Sequence, residues 1–400
     1  MTTVEQAENI VLSQLKDFGT EVVPFESSLG RVLAEDIKAD RDLPPFNRVT
    51  MDGIAIAYSA ITKGITSFNI KATQAAGDEP DDINDDTECI EIMTGAALSA
   101  GVDTVIRYED VDIEDGVAYL QVQEFSKGQN IHFKGKDKQQ GDVVAPAGQV
   151  ITPAIISLAA SVGKHEILVK KLPKVMIISS GDELVDVTDT PSDYQIRRSN
   201  NYTIKAVLKQ HSIDAEMLHI PDDPAITKEQ IAYCLQSYDV ILLSGGISMG
   251  KFDYIPKALE DLQVRKLFHK VQQRPGKPFW FGSHPDGALV FAFPGNPVAT
   301  FMCLHRYFLT WLNTTIGLPM KASVFAVLDR DFNFTPNLKY FLQVTLTYSE
   351  QGLLFATPIE GNGSGDFANL ADTDAFMELT SDRSDFKKGE AFKIWNFRTA

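Results

Sequence analysis

The sequence predicts a multidomain α/β plus β protein. A central doubly wound α/β domain with a mostly parallel sheet is expected, with an inserted β-rich module, a helical/β linker domain and a C-terminal β-barrel-like domain. Three observations predict this. Between residues 174 and 312, unbroken apolar runs alternate with helical periodicity, the pattern of a parallel sheet covered on both faces. Between residues 47 and 135, short apolar runs are separated by glycine and acidic turns. The last 80 residues return to alternation, as in Lys339–Thr347.

Taken in order, Thr2 with Glu5 reads as a capping box. Val4, Ala7, Val11, Leu15 and Phe18 then predict a helix that Gly19 stops. A strand is expected at Glu21–Phe25, and Leu43-Pro-Pro-Phe46 extends the chain. Strands follow at Ile54–Tyr58, Phe68–Ala72, Cys89–Met93, Thr104–Tyr108 and Ala118–Val122. Thr152-Pro153 opens a helix that Gly163 ends. The α/β pattern runs through strand Lys174–Ser179, helix Asn201–Gln210, strand Glu216–Ile220, helix Thr227–Ser237 and strand Asp239–Leu243. Strand Leu289–Phe293 and a helix from Pro297 to about Leu312 complete it. The expected boundaries are residues 1–42 with 139–170 for the linker domain, 43–138 for the inserted module, 171–317 for the α/β domain and 318–400 for the barrel.

Composition narrows the function. The 400 residues are 44% hydrophobic, enough for real cores, and no stretch reaches the roughly 18 apolar residues of a membrane helix. The N-terminus lacks the basic flank of a secretory signal. Cys89, Cys234 and Cys303 lie far apart with no CxxC, which fits a reducing cytosol and argues against a disulfide frame; a cytoplasmic location is expected. A net charge of −17 disfavours nucleic acid and anionic membranes as partners, although a few cations in one cleft can still bind a small anion. Six acids within residues 78–86 read as a solvated loop, and the isolated His132 and His305 as surface or core residues rather than ligands.

Three loops follow three expected strands: Ser179-Ser-Gly-Asp-Glu-Leu184, Ser244-Gly-Gly-Ile-Ser-Met-Gly250 leading to Asp253, and Pro294-Gly-Asn-Pro297. In an open α/β sheet such loops gather along the carboxyl edge, where ligands bind. Gly245 and Gly246 would let backbone N–H groups approach a ligand, with Ser244 and Ser248 adding hydroxyls. The same edge gains Asp182, Glu183, Asp253 and either Asp222 or Asp223, oxygens that could hold Mg²⁺ directly or through water. Helix capping is the competing role for Asp182 and Asp253. Arg274 and Lys277 are candidate anion-binding cations, the lysine held between Pro-Gly and Pro.

Together these residues resemble the molybdopterin molybdenumtransferase family, whose eukaryotic counterpart is the E domain of gephyrin. The resemblance runs from about residue 5 to 395. Its marks are Pro44-Pro45-Phe46, Met51-Asp52-Gly53, Ile92-Met-Thr-Gly-Ala96, Gly135-Lys-Asp137 and Ser180-Gly-Asp-Glu-Leu184. They continue with Ser244-Gly-Gly-Ile-Ser-Met-Gly-Lys-Phe-Asp253, Pro275-Gly-Lys-Pro278, Pro294-Gly-Asn-Pro-Val298 and Gly363-Ser-Gly365. The resemblance implies an Mg²⁺-assisted enzyme that joins adenylated molybdopterin with molybdate, releases AMP and leaves molybdenum on the dithiolene sulfurs. It implies an elongated homodimer whose cleft lies between the α/β domain of one subunit and the β-rich module of the other. Asp52, Thr94 and Asp137 would belong to the module's side of that cleft. Glu183, Asp223 or its neighbour Asp222, Asp253, Lys270, Arg274, Lys277, Pro294 and Pro297 would belong to the α/β side. Catalytic roles are expected for Glu183, Asp253, Asp52 and Asp137, and metal contacts for Glu183, Asp223 and Asp253; spacing leaves open which carboxylate acts as base.

The chain departs from the family pattern at Arg48-Val49, Ile54, Glu91, His132, Arg274 and Ala368-Asn369. Two other functions fit the sequence less well. An adenylyltransferase shares the Ser-Gly-Gly-x-Ser loop, but the short type lacks the N-terminal 165 residues. A non-catalytic scaffold would not need every acidic position filled. Further partners implied are the adenylyltransferase and molybdoenzyme apoproteins, in transient contact.

Overall fold

The computed structural model describes residues 1–122, 124–247, 254–318, 322–335, 337–359, 365 and 367–398. Its centre is a six-stranded sheet with strands Val175–Ser180 (β1), Glu216–Ile220 (β2), Val240–Ser244 (β3), Arg265–His269 (β4), Trp280–Ser283 (β5) and Leu289–Phe293 (β6). Their order is β2-β1-β3-β6-β5-β4. β2, β1, β3 and β6 are parallel, whereas β5 and β4 add an antiparallel edge that the apolar pattern did not predict. Arg265-Lys-Leu-Phe-His269 carries too few apolar residues to read as a strand; pairing with β5 makes it one.

Alternation along the strands sends successive side chains to opposite faces. Val175, Ile177, Val240, Leu242, Phe291 and Phe293 enter one core with helices Ser199–Gln210 and Pro297–Cys303, the second continuing through a π-helical turn into Leu309–Thr315. Met176, Ile178, Ile241, Leu243, Val290 and Ala292 enter the other with helices Pro224–Ser237 and Ile255–Asp261. Both faces are covered, so the sheet is doubly wound. The N-terminal helix, Val4–Leu12, adds Val4, Ala7 and Val11 to the first core. Its capping box uses Thr3 and Gln6 rather than Thr2 and Glu5, because the Thr2 backbone instead pairs with Val271. The helix also ends at Leu12, well before Gly19; Phe18 reaches the core by an edge-on contact with Trp311 instead.

The remaining chain forms three further units. Thr20–Pro24 pairs with Glu166–Lys170 and Ile37–Lys38 with Val143–Ala145, so segments more than a hundred residues apart share one core. Between them lies a six-stranded mixed sheet built from residues 53–120. Near the C-terminus, strands Val324–Leu328, Lys339–Tyr348, Leu354–Pro358, Ala375–Leu379 and Ala391–Asn396 close into a barrel through pairing of Lys339–Tyr348 with Ala375–Leu379. Buried Arg306 and partly buried Glu378 join the N-terminal helix, the α/β unit and the barrel. Arg306 donates to Glu8 at 2.8 Å, and Glu378 accepts from Trp395 at 2.8 Å and Lys339 at 2.7 Å. Burial pushes the Glu378 carboxyl up, but the Arg306 and Lys339 cations outweigh it and hold the group ionised, below the usual carboxylate range.

Candidate active site

The strand order reverses direction between β1 and β3, since the chain leaves β1 outward to β2 and returns inward to β3. That switch point is where an open α/β sheet leaves a crevice. A cavity of about 970 Å³ opens there, lined by Ser179 and Ser180 at the end of β1 and Glu183 beyond it, Ser244 at the end of β3 with Gly245 to Ile247 beyond it, and Pro294 to Pro297 after β6. All three loops singled out in the sequence therefore meet. Their seams are polar. Asn200 Nδ2 donates to Ser244 Oγ at 2.8 Å and to the Gly295 carbonyl at 2.7 Å, tying two loops to the helix start. Asn201 Nδ2 donates to Ser179 Oγ at 3.1 Å, which lies 3.1 Å from His219 Nδ1. Burial, aided by Arg198, lowers the His219 imidazole below its usual range and leaves it neutral at pH 7.

Two roles differ from expectation. The N–H of Gly245 is not offered to a ligand, because it donates to the Phe293 carbonyl at 3.2 Å and anchors the loop to β6. Gly246, at φ 67°, is needed for space: a Cβ would stand 2.4 Å from Ser180 Oγ and 2.5 Å from Ile255 Cδ1. A helix start reaches the cavity instead. Helix Ser199–Gln210 starts at the cavity with no capping side chain and no acid in its first turn, and Arg197 and Arg198 precede it along the lining. A helix N-terminus so placed favours negative charge. Sequence reasoning missed residues 197–201, although two arginines before Ser-Asn-Asn at a helix start are a readable signal.

The carboxylates only partly converge. Glu183 is exposed on the cavity lining. Asp182 and Asp222 exchange backbone hydrogen bonds: Asp222 N–H donates to Asp182 Oδ1 at 3.1 Å, and Asp182 N–H to Asp222 Oδ2 at 3.5 Å. The helix-capping alternative for Asp182 does not form, since its carboxylate accepts from Asp222 N–H. Asp223 is instead the cap of helix Pro224–Ser237, with Oδ1 accepting from Ala225 at 2.8 Å and Ile226 at 2.9 Å. That oxygen is committed. Ser248 and Asp253 lie outside the described residues, and among those described no three acids, histidines or cysteines gather as a metal cage.

Pro278, Pro294 and Asn296 line both the large cavity and an adjoining recess of about 240 Å³, which Arg274 and Lys277 also line. Gln273–Arg274 pairs in parallel with Lys339–Tyr340 of the barrel, and the Arg274 guanidinium lies over Phe334 and Tyr340 at 5.6 and 6.0 Å. Buried Gln273 holds the turn by donating to the Gly276 carbonyl at 3.1 Å. Gly276 has φ 88°, and a Cβ there would stand 2.6 Å from Cys303 Sγ and 2.7 Å from Gln273 Nε2. Gly276→Ala is expected to cost about 1–3 kcal/mol of stability, read as a lowered urea midpoint; an unchanged midpoint would show that the clamp is not tight. Lys270, also at positive φ (70°), stands just before this turn; its carbonyl accepts from Thr2 N–H and it lines neither cavity. Barrel residues Gly365 and Phe367 complete the rim of the large cavity.

Asp52 and Thr94 lie elsewhere, beside the inner strands Gly53–Ile56 and Glu88–Ile92 of the β-rich module, and Asp137 in the turn after Ile131–His132; none of them lines either cavity. The segment from Arg48 is laced between two others: Val49 N–H donates to Ala96 O, Gly95 N–H to Val49 O and Thr50 N–H to Asn130 O. Thr94 N–H donates to Asp52 Oδ1 at 2.6 Å, and this bond holds the Asp52 carboxyl below its usual range. Glu91 is a structural acid, accepting from Tyr108 at 2.9 Å and Thr73 at 2.6 Å. Burial, with that bond, pushes the Tyr108 phenol up to about 12. His305 is a core residue, as expected, its imidazole pushed by burial down to about 4. The three cysteines are buried and free, and no described helix is long and apolar enough to cross a membrane.

Switch-point cleft, adjoining recess and three flanking units define a multidomain α/β protein with three loops gathered at the carboxyl edge of the central sheet. Comparison with known proteins gives the family. The pattern described as the MoeA N-terminal region (domain I and II) matches residues 2–163, that of a "Probable molybdopterin binding domain" residues 176–314, and that of the MoeA C-terminal region (domain IV) residues 326–397. The molybdopterin molybdenumtransferase of Synechocystis sp. is 37% identical over 398 residues, 99% of this chain and 100% of that protein. That of Staphylococcus aureus strain Mu50 is 30% identical over 399 residues, 98% of this chain and 94% of that protein. The crystal structure of the molybdopterin biosynthesis MoeA protein from Pyrococcus horikoshii OT3 superposes with a TM-score of 0.82 at 26% identity, covering 99% and 100%. The chain belongs to the molybdopterin molybdenumtransferase family.

Proposed function

We propose that the chain is itself a molybdopterin molybdenumtransferase, joining adenylated molybdopterin with molybdate, releasing AMP and leaving molybdenum on the dithiolene sulfurs. The observation that carries this reading is the pair of joined cavities. The larger has room for a nucleotide-linked pterin, and its helix N-terminus and Arg197 favour phosphate. The smaller, with Arg274 and Lys277, suits a compact oxyanion. Positive potential at both ends offsets the charge that develops as the phosphoanhydride breaks and AMP leaves.

Mg²⁺ is the cofactor of this reading. The donors near the cleft are carboxylate oxygens, which suit a hard cation; Glu183, Asp182 and Asp222 would hold it better than Asp223, whose Oδ1 serves the helix cap. When bound it would neutralise phosphate charge. Asp52, Thr94 and Asp137 would complete the cleft from a second copy of the chain, a reading supported by their position off the lining of their own subunit's cavities. We further propose a cytoplasmic homodimer that meets its adenylyltransferase and acceptor apoproteins transiently.

Purified protein given adenylated molybdopterin, molybdate and Mg²⁺ should release AMP; equal release without molybdate would overturn the reading. Lys277→Ala is expected to raise the molybdate concentration for half-maximal rate ~10-fold or more, as loss of a charge-assisted contact does, with a smaller change for the pterin. An unchanged half-saturation would place Lys277 on the pterin phosphate or outside the site, and would leave the recess without a role in binding molybdate.

A further inference from the structure

We propose that Arg48 and His132 are coupled positioning residues that orient the carboxylate of Asp137. The proposal rests on the reading that Asp137 faces substrate. Arg48–Val49 and Ile131–His132 are antiparallel with Arg48 opposite His132, so both side chains project from one face. The next five residues turn back: Lys136 N–H donates to the Phe133 carbonyl at 3.1 Å, and Asp137 N–H to the Leu43 carbonyl at 2.9 Å. Asp137 thereby returns to the histidine. Arg48 Nη2 lies 3.2 Å from His132 Nδ1, and His132 Nε2 lies 2.8 Å from Asp137 Oδ1.

The direction of this chain follows from which groups can donate. A guanidinium only donates and a carboxylate only accepts. Nδ1 is therefore the acceptor from Arg48, and the ring proton sits on Nε2, aimed at Asp137. An exposed aspartate alone samples several rotamers. Here one oxygen is pinned by a ring that is itself pinned by Arg48, while the other oxygen stays outside that bond. Holding a reacting group in one geometry is worth rate, not stability. An ordinary surface ion pair would give neither, since such pairs contribute little. Lys134, in the same turn, is directed to Asp42 at 3.7 Å and does not compete.

The test uses the full-length protein. Nitrogen-15 spectra of the imidazole at pH 7.5 should show His132 with an unprotonated Nδ1 and a protonated Nε2, and Arg48→Ala should mix the tautomers. His132→Ala should lower kcat by ~10-fold or more with little change in KM for the adenylated pterin. His132→Gln, which offers an acceptor to Arg48 and a donor to Asp137, should recover most of that loss, and His132→Leu none. A protonated Nδ1, or equal kcat in the Ala and Gln variants, overturns the proposal. Asp137→Asn separates the two ideas. If it lowers kcat while His132→Ala does not, positioning alone falls; if it is silent, the assignment of Asp137 falls and the catalytic purpose of the pair with it.

Discussion

Glu183→Gln is expected to cut AMP release by at least ~10²-fold, the usual cost of removing one acid/base or electrostatic group. The substitution keeps the shape and removes only the charge. Glu183 stands on the lining of the switch-point cavity, and its exposed side chain carries no packing load. Its backbone carbonyl, which accepts from Ile196 N–H at 2.8 Å and secures the neighbouring loop, is unaffected. The urea midpoint should therefore stay within the range of ordinary surface substitutions, about 0.5 kcal/mol. Asp253→Asn, on the family's pattern, is expected to lose activity similarly. Near-normal turnover in both variants would remove this group of acids from the chemistry.

The second large effect comes from mixing two dead proteins. Asp52→Ala and Glu183→Ala homodimers should each be nearly inactive, because a symmetric dimer with a composite cleft carries the lesion in both of its sites. When an equal mixture is unfolded and refolded, half of the dimers pair one variant with the other. Each mixed dimer then has one site with both lesions and one with neither. Activity should return to about one quarter of wild type, as random pairing in a two-fold dimer requires. If each site lay within one chain, every site would keep a lesion and nothing would return. That result would leave Asp52 and Glu183 in place but reject the shared cleft.

Much of the fold was legible because its signals are local. β2 and β6 have the predicted limits, Glu216–Ile220 and Leu289–Phe293, and the five expected strands of the β-rich module all occur with shifted ends. Apolar runs buried on both faces need no knowledge of the partner strand to be read. β4 and β5 were illegible for the converse reason. Gly282 and Lys266 become strand residues only because a neighbouring strand supplies their hydrogen bonds. The N-terminal cap was misplaced by one residue because Thr2 and Thr3 are equivalent locally, and only the pairing of Thr2 with Val271 separates them.

The candidate site divides along the same line. Glycine loops after strands, a lysine between prolines and the order of the motifs are properties of the chain, and by itself the sequence determined the family, the α/β centre and the loops that line the cleft. Tertiary structure decided how the polar atoms are spent. Asp223 became a helix cap, the Gly245 N–H an anchor on Phe293, and Arg48 a partner of a histidine 84 residues away. It also brought Arg197 and an uncapped helix start to the cavity. The physical reason is that burial is a periodic demand, which one segment can declare alone, whereas a hydrogen bond is a pairwise one. Each donor or acceptor is settled only when the folded chain brings up the group that satisfies it.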